Sequence, residues 1–250
     1  MVQEDTEEVY ALKVRIKFSK SGNMKFIGHL DTMRYFQKAM RRADIDIAYS
    51  TGFSPHQIMS FAAPLGVGIT SEGEYLDIEV NSTDSTEKSV AALNDAMVKG
   101  FSVLDYRRLP DNAKTAMSIV TCADYTLTYR EGYEIDRSFE ELCEAVHAFY
   151  EEPEKLEIVK QTKKSEKIID LKQLVYDYKV VQVEGKPAFY LKVSTGSSDN
   201  IKPELVLEHF YNYLGLELKD FTFQTHRHDV YTGSVTEGFC SLNDMGEVIP

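Results

Sequence analysis

Leu12, Val14, Ile16 and Phe18 alternate with Lys13, Arg15 and Lys17. An apolar period of two over that length fits a β-strand with one buried face, so the chain must build a sheet and cover it. Ser21-Gly22-Asn23 then turns the chain. Across residues 29–43, Leu30, Met33, Phe36, Met40 and Ala43 recur at steps of three and four, the spacing of one helix face. An extended stretch containing Gly52-Phe53-Ser54-Pro55 leads to a second alternating run, with Leu76, Ile78 and Val80 set between Tyr75, Asp77 and Glu79. Residues 81–86 supply turn and cap residues for a helix carrying Val90, Leu93 and Met97 and stopped by Gly100, after which residues 101–109 return as a strand.

The order strand, helix, strand, strand, helix, strand then recurs. Tyr125, Leu127 and Tyr129 alternate as a strand, and Ser138-x-x-Glu141 makes a capping box before Leu142, Val146 and Phe149. Residues 155–159 and 189–193 read as strands, with an insert between them that is expected to hold a helix around residues 170–177. Pro203 starts a helix with Val206, Phe210 and Tyr213 on its apolar side, Gly215 ends it, and residues 221–225 close the set. The expected fold class is therefore α+β, with tandem ferredoxin-like (split βαβ) units, each an antiparallel sheet with its helices on one face. Pro110-Asp111-Asn112 breaks the pattern, so the units are placed at residues 1–114 and 115–250, the second containing the insert. In that topology the first and third strands are neighbours, and Lys13, Arg15 and Lys17 lie opposite Asp77 and Glu79 on the sheet's open, polar face.

Charge limits the partners. Against 28 basic residues stand 40 acidic ones, and a net charge of −12 repels phosphate overall. Residues 13–43 are the exception: nine cations and only Asp31 in opposition make that segment +8. No apolar run approaches the ~18 residues of a membrane span, and residues 1–8 are acidic and polar, unlike a secretory signal. The expectation is a cytoplasmic protein with no membrane association. Cys122, Cys143 and Cys240 are odd in number and widely spaced, so they read as small buried hydrophobes rather than disulfides or metal ligands.

The familiar phosphate, zinc and redox signatures are missing: there is no P-loop, G-x-G-x-x-G, H-E-x-x-H or C-x-x-C. The sequence thus predicts no metal and no organic cofactor. His226 and His228, with Asp229 beside them, resemble a ligand group and point to one side of a strand, but two imidazoles are too few for a structural site.

The informative region runs from residue 20 to 73. At roughly 100° per residue, Arg34, Lys38, Arg41 and Arg42 gather on a stripe away from the helix's apolar side. This is a cationic ridge for a partner, or the ordinary charge of a surface helix favoured near its C-terminus. The following Tyr49-Ser50-Thr51-Gly52-Phe53-Ser54-Pro55-His56 sets two aromatic rings, hydroxyls and an imidazole in one loop. Such groups serve single-stranded RNA sites, and equally make up a plain loop anchored by Phe53 in the core. The candidate RNA- or partner-binding surface comprises Lys20, Lys25, His29, Arg34, Lys38, Arg41, Arg42, Tyr49, Ser50, Phe53 and His56.

At these residues the chain resembles a known family. Phe26-Ile27-Gly28-His29-Leu30-Asp31, Arg41-Arg42-Ala43, the 49–56 loop, the run FAAPLGVG at 61–68 and Ser71-Glu72-Gly73-Glu74-Tyr75 are similar to the radical SAM-linked proteins, a bacterial domain of unknown function, free-standing or fused to radical SAM enzymes. A more distant likeness is to the CRISPR repeat-processing endoribonucleases, which also have tandem ferredoxin-like domains. This chain lacks their glycine-rich C-terminal loop, since Gly233 and Gly238 are isolated. The first resemblance implies a binding module that works with a radical SAM enzyme on a separate chain, while the cationic ridge and the 49–56 loop suggest RNA or a ribonucleoprotein as the substrate. Without a C-x-x-x-C-x-x-C this chain holds no iron–sulfur cluster of its own. Two alternatives stand beside it. One is metal-independent RNA cleavage, with His29 or His56 as base and Arg41 or Arg42 stabilising the phosphorane. The other is a non-enzymatic interaction scaffold.

Overall fold

The structure is a computed structural model that describes residues 11–161, 166–196 and 199–250; the acidic residues 1–8 lie outside the described residues. The first half runs β1 (Leu12–Lys20), α1 (His29–Arg42), β2 (Met59–Phe61), β3 (Thr70–Val80), α2 (Thr86–Ala96) and β4 (Phe101–Arg108), with sheet order β4-β1-β3-β2 and antiparallel neighbours throughout. The alternation in β1 has the expected result: Val14, Ile16 and Phe18 are buried against Phe36 and Met40 of α1 and Leu93 of α2. The α1 helix begins at Gly28 with no side-chain cap, and Asp44 just beyond its end takes a left-handed φ of 56° that turns the chain away. Ser85 caps α2 through the Lys88 amide.

After the short α3 (Ala116–Ile119), the second half repeats the order with an insertion. It runs β5 (Cys122–Tyr129), α4 (Phe139–Val146), β6 (Glu157–Gln161), β7 (Glu166–Asp170), β8 (Val175–Val183), β9 (Lys186–Ser194), α5 (Pro203–Tyr213) and β10 (Phe223–Ser234), then β11 (Gly238–Ser241) and β12 (Glu247–Val248). Its sheet order is β10-β5-β9-β8, and Leu127, Leu142, Phe149, Tyr178, Phe189 and Phe210 share one core. The Ser138–Glu141 capping box forms and Pro203 opens α5, both as expected. The helix anticipated at 170–177 does not form. Only Leu171–Gln173 makes a single 3₁₀ turn, and Val175 onward pairs with β9, because β-branched residues there match a buried partner strand. The strand expected at 155–159 is instead half of the separate β6–β7 hairpin.

The two halves share one sheet, β12-β4-β1-β3-β10-β5-β9-β8, where two separate antiparallel sheets were expected. The three residues of β2 cover only part of the edge of β3, through Leu76–Ile78 partners, and leave the start of β3 open. There β10 pairs with it in parallel, His226 opposite Thr70 and Arg227 opposite Ser71, in the one parallel contact of an otherwise antiparallel sheet among the described residues. Such an open edge is a row of unpaired amides, and pairing it removes that liability. Opposite β1 the register of β3 slips: Phe18 faces Glu74 whereas Lys20 faces Ser71. This bulge at Glu72 and Gly73 throws Glu72 and Glu74 to opposite faces, although they are two residues apart. Gly73 is required here, because a Cβ would collide with the Cα of Asp229 and the carbonyl of His228.

The face expected to be open in the first half is covered. Arg15 pairs with Asp77 as the strand register suggests, with Nε to Oδ1 at 2.7 Å and Nη2 to Oδ2 at 3.0 Å, yet both residues are buried. Asp77 also accepts from the Ala116 amide at 2.6 Å, and Arg15 donates to the Leu242 carbonyl at 3.2 Å. The linker helix α3 and the C-terminal segment therefore lie over this pair. Lys13 donates instead to the Asp111 and Ala113 carbonyls, and Lys17 pairs with Asp229 on β10 at 3.2 Å. Among the described residues no helix is long and apolar enough to cross a membrane. Replacing Asp77 by Ala, which strands a buried guanidinium, is expected to cost ~3–5 kcal/mol in urea unfolding, and Arg15→Met with Asp77→Leu should cost less than Asp77→Ala alone.

Candidate functional site

The 49–56 loop is a closed ring of chain. Tyr49 bridges Gln57, the Ser50 amide donates to the His56 carbonyl at 2.8 Å, and the His56 amide donates back to Ser50 Oγ at 3.1 Å. Ser50 Oγ also lies 2.8 Å from His56 Nδ1. These bonds consume the serine and one imidazole nitrogen in holding the loop shape. Gly52, at φ 115°, then turns Phe53 outward, and its relative exposure of 113% places the whole ring in solvent. The reading of Phe53 as a core anchor is thereby excluded. Tyr49 is half exposed, and with Arg41 it lines a shallow groove of about 410 Å³ that also includes Asp44 and Asp46.

The cationic ridge divides. Lys38 and Arg41 are exposed and, among the described residues, make no hydrogen bond or ion pair. Arg34 forms an exposed pair with Asp31 at 3.4 Å, which contributes little. Arg42 is structural: it donates to the Ala96 carbonyl at 2.9 Å and lies over the Tyr35 ring, tying α1 to the end of α2.

Three expected surface residues belong elsewhere. Lys20 is buried, donates to the Ile27 carbonyl at 2.7 Å, and is held below the usual lysine pKa chiefly by burial, against the pull of Glu74. Lys25 reaches β10 and donates to Gln224 Oε1 at 2.7 Å. His29 packs edge-on against Phe61, 5.3 Å between centroids, and has no contact with His56 among the described residues. His29 and His56, the two alternative bases of the RNA-cleavage reading, thus sit in separate surroundings.

The 61–68 run and the 71–75 run meet at a buried ion pair. Arg227 donates to Glu74 through Nε at 2.9 Å and Nη2 at 2.5 Å, and its Nη2 also reaches the Ala63 carbonyl at 2.7 Å. Burial disfavours the Arg227 charge, but Glu74 more than restores it, raising the pKa above the usual arginine value. Over this pair lies a cleft of about 600 Å³, walled by Ala62–Val67 residues on one side and by Ile201, Pro203 and Glu204 at the start of α5 on the other.

On the opposite face, Glu72 stands between two histidines of β10. Its Oε1 is 3.7 Å from His226 Nε2 and 3.5 Å from His228 Nδ1. His226 is pushed below the usual imidazole pKa, first by burial and then by His228, with Glu72 opposing. A third potential ligand group thus stands beside the two imidazoles. Its contribution was invisible in sequence because it comes from a strand 154 residues earlier, through a parallel pairing and a bulge. The cysteines also differ from expectation in part. Cys122 is buried and burial pushes its thiol up to about 12, Cys143 is half-buried, but Cys240 is exposed.

The chain belongs to a family of uncharacterized proteins conserved in bacteria (DUF2344), which it matches over residues 13–203. No curated protein matches it. Among solved structures it is similar to a chain in the crystal structure of a Cbf5-Nop10-Gar1 complex, at 10% identity and a TM-score of 0.44, covering 87% of this chain and 48% of that one. The chain thus spans about half the length of that relative. It is also similar to an unknown protein from Galdieria sulphuraria, at 11% identity and a TM-score of 0.23, with 88% and 99% covered. Such low TM-scores leave the functional reading to the chain's own residues.

The sorting of the ridge has a measurable consequence. Arg42→Ala is expected to cost about 0.5–1.5 kcal/mol by removing its hydrogen bond and ring contact. Lys38→Ala and Arg41→Ala should each stay within ~0.5 kcal/mol in the same urea titrations.

Proposed function

We propose that this chain is a binding module whose contact surface is the 49–56 loop with Lys38 and Arg41, that its ligand is single-stranded RNA, and that it works in the cytoplasm beside a radical SAM enzyme on a separate chain. The observation that carries the reading is Phe53, an aromatic ring held wholly in solvent by a loop whose internal hydrogen bonds fix its shape. A ring exposed in this way gains nothing from the core, and it is suited to stacking on an unpaired base. Unpaired cations on the adjoining α1 suit the phosphates, and their attraction must be local because the whole chain is acidic. The radical SAM partnership rests on the resemblance of residues 26–75 to that linked family. Any cluster chemistry would be the partner's, since the three cysteines lack the cluster spacing.

The test is fluorescence anisotropy with a labelled unstructured RNA oligonucleotide at several salt concentrations. Lys38→Ala with Arg41→Ala should weaken binding and flatten the salt dependence by roughly one unit per lost contact. Phe53→Ala should weaken binding by ~1–3 kcal/mol without changing that slope. Wild-type protein that fails to bind, or binding indifferent to all three substitutions, would overturn the proposal. Loss of a co-purifying enzyme by the same variants, with no RNA bound, would place a protein at this surface instead.

A further inference from the structure

Glu72, His226 and His228 lie on the face of the sheet away from the Arg227 cleft, since His226 and His228 flank Arg227 on one strand and side chains alternate along it. Their ligand-type atoms all lie within 4.8 Å of one another. Around a four-coordinate zinc ion, with bonds of ~2.0–2.1 Å, neighbouring ligand atoms stand about 3.3 Å apart. The two carboxylate–imidazole separations, 3.7 and 3.5 Å, are already close to that spacing.

The outer ring nitrogens are also held. His226 Nδ1 is 2.9 Å from Thr70 Oγ1, and the threonine's own proton is directed to the Thr225 carbonyl at 3.5 Å. In the tautomer that donates Nδ1–H to this hydroxyl, the Nε2 lone pair faces Glu72. His228 Nε2 is 2.7 Å from Thr126 Oγ1; in the tautomer that donates to this hydroxyl, Nδ1 keeps its lone pair free and it too faces Glu72. Rings oriented from behind by a hydrogen bond are what metal-ligating histidines require. Tyr190 lies roughly parallel to the His228 ring and donates to Asp124, so this part of the face is built from polar groups bonded to one another. All three side chains remain reachable from solvent, with side-chain exposures of 61% for Glu72, 32% for His226 and 35% for His228.

We infer that Glu72, His226 and His228 form a binding site for one divalent transition-metal ion of the zinc class, with a coordination position left open to water or a ligand oxygen. Two imidazoles and a carboxylate suit zinc, iron, cobalt or nickel better than calcium or magnesium, which prefer oxygen shells. Three protein ligands leave room for a fourth, as in open rather than closed zinc sites. The site stands independently of the RNA-binding surface, which lies on other residues.

The experiment uses the full, untagged chain stripped with chelator. Cobalt(II) is titrated and followed by its visible absorption, and zinc is then titrated in competition. One ion per chain is expected. Glu72→Ala, His226→Ala and His228→Ala should each weaken binding at least tenfold, while Thr70→Val and Thr126→Val should weaken it by ~10–100-fold with the three ligands intact. Glu72→Gln, which keeps the shape of an exposed side chain, should lose the ion without change in the circular dichroism spectrum. Failure of the wild type to take up either ion overturns the inference, as does undiminished uptake by the His226→Ala/His228→Ala double variant. Uptake abolished by Cys240→Ser would assign the metal to that exposed thiol and overturn it equally.

Discussion

The buried pair of Arg227 and Glu74 is the constraint on which the rest of this architecture depends. Neither charge tolerates the interior alone, so β10 must enter the sheet beside β3 and nowhere else. That requirement joins the two halves through a ladder of only two residue pairs, His226 with Thr70 and Arg227 with Ser71. Neighbouring bonds extend it: Lys25 to Gln224, Lys17 to Asp229, and Tyr75 to Asp229 at 2.5 Å. The junction is thus polar where the two cores on either side are apolar, and it gains specificity of register from groups that cannot be left unpaired.

One extra residue in β3 does two jobs at this junction. The bulge at Glu72 and Gly73 sends Glu74 inward to Arg227 and Glu72 outward to His226 and His228. A regular strand would have placed both carboxylates on one face. Gly73 is the point of closest approach, where the β10 backbone passes too near for any Cβ. The run Ser71-Glu72-Gly73-Glu74-Tyr75 therefore encodes a geometry: a bulge, a crossing and two carboxylates aimed apart.

The same logic sorts the positive charge of residues 13–43. Arg15 and Lys20 are consumed in the interior, Lys13, Lys17 and Lys25 tie β1 and the turn after it to distant segments, and Arg42 joins the two helices of the first half. Lys38 and Arg41 alone of the α1 ridge are left without partners among the described residues. A one-sided charge in sequence is thus mostly structural, and the share available to a ligand is smaller and more sharply located than the count suggests.

The element order of the first half, the α+β class, the capping box at Ser138 and Glu141, the helix start at Pro203 and the Arg15–Asp77 pairing are all legible in the sequence, because each depends on local periodicity or on adjacent strands of a known order. The 49–56 loop was legible as a cluster of residue types, but not the exposure of Phe53, which follows from the bonds that close the loop and the left-handed turn at Gly52. Only the tertiary structure decided that the two sheets are one, that the polar face over Arg15 is covered by Ala116 and Leu242, and that Lys20 is buried. It alone brought Glu72 to His226 and His228. The physical reason is common to these: each rests on a contact between segments far apart in the chain or on a bulge that resets the strand's alternation, and neither leaves a periodic trace in the chain.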